Sequence, residues 1–165
     1  MNDVQIIDMN RLQERVIKKA WVEWIVNAKE WRTFLTLTYR NEVSRETALR
    51  DWRFLVRCLN RDLLGKHYTQ KVGHSYFSYV VALEYQQRGV LHFHGLVDKP
   101  LNFEKVHRVW NRINGFVWIS QIKSRIGTVE YICKYLTKGG DLIPFYSNKN
   151  FDVKKFVDEI PAWYF

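Results

Sequence analysis

The chain has 165 residues, 47% hydrophobic and 16% aromatic, which suits one domain with a sizeable core and rules out a disordered segment. Lys and Arg number 26 against 17 Asp and Glu, a net charge of +9 that favours a polyanionic partner such as nucleic acid. Its 2 cysteines match neither a zinc finger nor a disulfide framework, no apolar run reaches the roughly 20 residues that span a bilayer, and no Walker phosphate loop is present.

Residues 10–32 read as a helix, with Ile17, Trp21, Trp24, Ala28 and Trp31 on one stripe expected to be core. Residues 34–39 alternate as a strand, burying Leu35, Leu37 and Tyr39 and leaving Thr36 and Thr38 on the other face. A second helix is expected over 44–64, with Ser44 as N-cap and Gly65 as its stop. Its inner side would be Trp52, Leu55, Val56, Leu59 and Leu63. Arg50, Arg53, Arg57 and Arg61 form a separate stripe, either a solvated face or a phosphate track.

Residues 77–85 and 90–97 form two strands joined by a short turn containing Gly89, which is the pattern of an antiparallel hairpin. Phe77, Tyr79, Val81, Leu83 and Tyr85 share one face with Leu91, Phe93 and Val97. On the other face stand His92 and His94, which point the same way only because strand side chains alternate. A loop of Gln87, Arg88 and Gly89 puts Gln86 opposite Val90 and Glu84 directly opposite His92, with Cβ atoms about 5 Å apart. Two buried core histidines would satisfy the pair alone. A carboxylate and two imidazoles on one face instead make a metal-ligand set.

A helix over 103–113 has Val106, Val109 and Trp110 inward, and residues 116–119 form a further strand. The last helix, 125–138, gathers Val129, Ile132, Cys133 and Leu136 on a core side. Tyr131 and Tyr135 fall on the opposite arc with Lys134 and Lys138, two overlapping Tyr-x-x-Lys units in which an ammonium group can lower a phenol's pKa. The tyrosines otherwise read as surface cover. The element order predicts an α+β fold, with helices packed on one face of a central antiparallel sheet and an open face carrying the triad.

These parts make a mechanism for phosphoryl transfer. A cation held by Glu84, His92 and His94 would polarise a phosphate, and a tyrosine would attack it to form a covalent link. In Phe34-Leu35-Thr36-Leu37-Thr38, in His92-Phe93-His94 with Glu84, and in Tyr131-x-x-x-Tyr135-x-x-Lys138, the chain resembles the HUH endonucleases. Its two tyrosines are similar to those of rolling-circle replication initiators of microviruses, related phages and plasmids. The resemblance covers about residues 10–140 and leaves 141–165 as a tail of a single nuclease domain lacking a helicase. It implies an RRM/ferredoxin-like HUH fold and Mg²⁺ or Mn²⁺. It also implies origin nicking and rejoining of single-stranded DNA through a 5′-phosphotyrosine, with a host or separate helicase and polymerase as partners. The expected location is the cytoplasm of a prokaryotic host, with no membrane partner; Met1-Asn2-Asp3 does not open a signal peptide.

Three alternatives stay open. A transposase usually has one tyrosine, and a relaxase has a third histidine where Glu84 stands. A non-enzymatic single-strand reader would display aromatics on the open face, where Glu84, His92 and His94 are expected instead. A structural zinc site would close its coordination sphere, whereas this donor set leaves a position free.

Overall fold

A computed structural model describes residues 3–72, 76–85, 89–113, 115–135 and 141–145. The elements, in chain order, are α1 (Asp3–Ala28), β1 (Thr33–Tyr39), α2 (Arg45–Leu64), α3 (Tyr68–Val72), β2 (Tyr79–Tyr85), β3 (Leu91–Val97), α4 (Phe103–Ile113), β4 (Gly115–Gln121), α5 (Arg125–Cys133) and β5 (Asp141–Phe145). The strands form one sheet in the order β4-β1-β3-β2-β5, with every neighbouring pair antiparallel.

Period-two alternation explains how the sheet is layered. Leu35, Leu37, Tyr39, Val81, Leu83, Leu91 and Phe93 share one face and are buried beneath Trp52, Leu55 and Leu59 of α2 and Val106 and Trp110 of α4. α2 begins and ends where its side chains dictate. The Ser44 hydroxyl accepts from Thr47 N at 3.1 Å, and Gly65 closes the helix at φ 82°, a region that L side chains avoid. Leu63, expected inside, is exposed in the last turn of α2, and Tyr85 is exposed at the end of β2. The arginine stripe of α2 lies on the far side of the sheet from the histidines, so it is a solvated face and not a track to them.

The α+β architecture is the expected one, and the opposite face divides into two parts. Phe34, Val80, Ala82 and Leu96 are covered by Ile25 and Trp31 at the α1 end and by Val129, Ile132 and Cys133 of α5. Along the β4 edge this face is open, leaving Phe116 and Trp118 exposed to 65% and 55%. α1 stops at Ala28, short of the expected residue 32, because the chain turns there. The Trp31 indole folds back to donate to Ile25 O at 2.7 Å. The Arg125 guanidinium donates to the carbonyls of Val26 and Lys29, so α5 ties off the acceptors left at the end of α1.

Two elements were not expected. α3 is a 5-residue helix, and the segment read as the start of a tail pairs with β2 as a fifth strand. Pro144 is tolerated there because β5 is an edge strand, where a missing N–H need not break an inner ladder. No helix among the described residues is long and apolar enough to cross a membrane.

Candidate active site

The central hairpin has the register that alternation requires. Glu84 stands opposite His92, and on the other side of β3 the partners of His92 and His94 are Thr38 and Thr36. The two imidazoles lie side by side, ring centroids 6.2 Å apart and planes 17° apart. Each is held at Nδ1 by a threonine hydroxyl: Thr38 Oγ1 at 3.0 Å from His92 and Thr36 Oγ1 at 3.1 Å from His94. The Glu84 carboxylate lies 3.2 Å from His94 Nε2. Gln86, placed by expectation opposite Val90, lies outside the described residues.

Glu84, His92 and His94 are the side chains here that could hold a divalent cation. A hydroxyl can donate or accept, so the threonines hold the rings in either tautomer and allow Nε2 to present a lone pair. Burial lowers the His94 pKa below the ordinary histidine value, outweighing the Glu84 carboxylate that pulls it upward, so the ring is neutral as a ligand must be. Glu84 bonds to His94 directly, and among the described residues no three His, Cys, Asp or Glu side chains close into a preformed cage.

α5 brings both tyrosines to the histidine pair, but unequally. The Tyr131 ring meets His94 edge-on at 5.7 Å and Phe34 at 5.8 Å, and 41% of the residue remains exposed. Tyr135 is stacked flat on His94 at 4.7 Å, is 2% exposed, and donates its hydroxyl to Tyr131 Oη at 3.0 Å. The expectation that neither tyrosine belongs to the core therefore fails for Tyr135. α5 ends at Cys133, not near 138. A tighter turn follows, with Tyr135 N donating to Ile132 O at 3.2 Å, and it swings Tyr135 beneath the imidazole.

Lys134 also acts differently from expectation. Its Nζ sits over the ring faces, 3.6 Å from the Tyr131 centroid and 4.8 Å from that of Tyr135, as a cation–π contact. The Tyr135 phenol is raised in pKa, not lowered, first by burial and then by the Tyr131 hydroxyl and the Glu84 carboxylate. Leu136 and Lys138 lie outside the described residues.

Sequence reasoning missed Phe34, Phe116 and Trp118. Phe116 pairs with Thr38 and Trp118 with Thr36, so both share the histidine face. That face therefore displays aromatics as well as the donor set, contrary to expectation. The usable signal was the alternation of Phe116 and Trp118 with Val117 and Ile119, the latter two packing against the core beneath α2 and α4.

A family model for the replication-associated protein ORF2 family matches residues 32–140, from just before β1 past both tyrosines. No curated protein and no solved structure matches the chain.

Proposed function

Since the chain belongs to the replication-associated protein ORF2 family, a family of rolling-circle replication initiators, we propose that it nicks and rejoins single-stranded DNA at an origin through a 5′-phosphotyrosine. The observation that carries this reading is a half-exposed phenol, Tyr131, set against the imidazole of His94, which neighbours His92 and Glu84.

Glu84, His92 and His94 would hold Mg²⁺ or Mn²⁺, oriented through Thr36 and Thr38. Such a cation, when bound, polarises the phosphate and offsets charge in the transition state. The Tyr131 oxygen bonds to phosphorus, its proton passing to solvent, while the bond from phosphorus to the 3′ oxygen breaks. That oxygen takes up a proton and leaves as a free 3′-hydroxyl, which can later attack the phosphotyrosine and reseal the strand. Tyr135 donates a hydrogen bond to the attacking oxygen. Its burial makes Tyr131 the first nucleophile, and a second transfer would require Tyr135 to leave its stack on His94. Unwinding and synthesis would fall to a helicase and polymerase supplied separately, in the cytoplasm of a prokaryotic host.

The test is incubation of the protein with labelled single-stranded origin candidates and Mn²⁺, followed by denaturing electrophoresis. A covalent band is expected, lost in the Tyr131→Phe, Tyr135→Phe double variant, which still binds DNA. An undiminished band in that variant discards the assignment. The exposed Phe116 and Trp118 favour one rival, a non-enzymatic single-strand reader; metal-independent binding without cleavage would establish it instead. Cleavage at the terminus of a mobile element would favour a transposase or relaxase.

A further inference from the structure

Beside Tyr131 the sheet face opens into a groove of about 710 Å³ between β4 and the start of α5. Phe34 forms its floor and touches both walls, lying edge-on to Trp118 at 5.8 Å and to Tyr131 at 5.8 Å. Polar groups complete the lining, among them Gln121, Lys123 and Thr128. Trp118 is more than half exposed at the groove, and Phe116 continues the same face about 6.6 Å further along the strand. Arg40 places its guanidinium 5.7 Å from the Phe116 ring centroid.

An exposed indole at a groove with amide and hydroxyl partners is poorly suited to packing and well suited to a flat heterocycle. Every nucleobase offers a π-face to such a ring and hydrogen-bonding edges to neutral polar groups, while a lysine at the rim meets the phosphate. The groove is continuous with the Tyr131 phenol, because Tyr131 forms one of its walls. A strand whose phosphate lies at Tyr131 therefore has an adjacent base within reach of Trp118.

Resting on the nuclease reading above, we infer that the groove is a base-binding subsite, in which Trp118 stacks on a nucleobase next to the scissile phosphate of single-stranded DNA and Phe116 extends the platform along the strand. The subsite reads the stacked face with little regard to base identity, and Gln121 and Thr128 supply whatever edge preference exists. Trp118 acts in binding and takes no part in bond making.

Binding of a fluorescent oligothymidylate, and of an abasic strand of equal length and charge, is to be compared in the wild-type chain and in Trp118→Ala and Trp118→Phe. Loss of one stacked base should weaken oligothymidylate binding roughly 5- to 150-fold in Trp118→Ala. Abasic binding should be unchanged, and Trp118→Phe should restore most of the affinity. Equal loss for both strands, or no loss for oligothymidylate, overturns the subsite. Adduct formation under Mn²⁺ is scored separately. Trp118-dependent base binding without an adduct sinks the nuclease reading and leaves the subsite, whereas adduct formation with Trp118-independent binding does the reverse.

Discussion

Substituting the two tyrosines one at a time separates a nucleophile from its support. Tyr131→Phe removes the attacking oxygen, so the DNA adduct should vanish. The cost in stability should be small, because Tyr131 is 41% exposed and its ring contacts survive. Tyr135→Phe keeps the ring stacked 4.7 Å from His94 and removes the hydroxyl, and with it the hydrogen bond of 3.0 Å to Tyr131 and the interaction with the Glu84 carboxylate. A hydrogen bond to a group gaining negative charge contributes about 1.5–3 kcal/mol, so the first cleavage should slow roughly 10- to 150-fold without being abolished. Tyr135→Ala also empties a buried aromatic site in the core beneath α1 and α5, which should cost about 3–5 kcal/mol of folding stability. Single-turnover adduct formation gives the rates, and urea unfolding gives the stabilities. An adduct in Tyr131→Phe at wild-type rate, with none in Tyr135→Phe, would reverse the assignment and refute the argument from exposure.

Replacing Thr36 or Thr38 by Val keeps the shape but removes the bond to Nδ1 of His94 or His92; Mn²⁺ binding by calorimetry should weaken about 10- to 100-fold, and unchanged affinity would show that the hydroxyls do not orient the rings. At Gly115 an added Cβ would lie 1.7 Å from Thr38 O, so Gly115→Ala should cost at least about 1–3 kcal/mol in urea unfolding and disturb the strand carrying Thr38; wild-type stability would contradict the close approach. The Cys133 thiol is pushed up from 9.0 to about 12 by burial, so the folded state keeps a proton that the unfolded chain gives up. Its contribution to stability is fully present below pH 9.0 and is lost as pH rises towards about 12. The urea midpoint should fall through that window, and less steeply in Cys133→Ala. An identical slope in that variant would remove Cys133 as a source, leaving the raised phenols of Tyr39, Tyr79 and Tyr135 and the raised Cys58 thiol to account for it.

Much of the fold was readable because it depends on short-range geometry. The pairing of Glu84 with His92 follows from a two-residue period and a short turn, and Gly89 does have the positive φ, 77°, that such a turn exploits. Ser44 and Gly65 bound α2 for equally local reasons. α3 was too short for helical periodicity to register. β5 was hidden because Pro144 breaks an isolated strand pattern, and only its place at the sheet edge makes that proline harmless.

By itself, then, the order of residues determined the α+β class, the hairpin and the face shared by Glu84, His92, His94 and the two threonines. Tertiary structure decided which tyrosine is reached from outside. Helical spacing places Tyr131 and Tyr135 on one arc, but their exposure depends on where α5 lies over Phe34 and His94 and on the tightened turn after Cys133. It also decided that Phe116 and Trp118 stand beside the histidines. Alternation puts Phe116 and Trp118 on one face and Val117 and Ile119 on the other, and pairing with β1 settles which of the two meets the core.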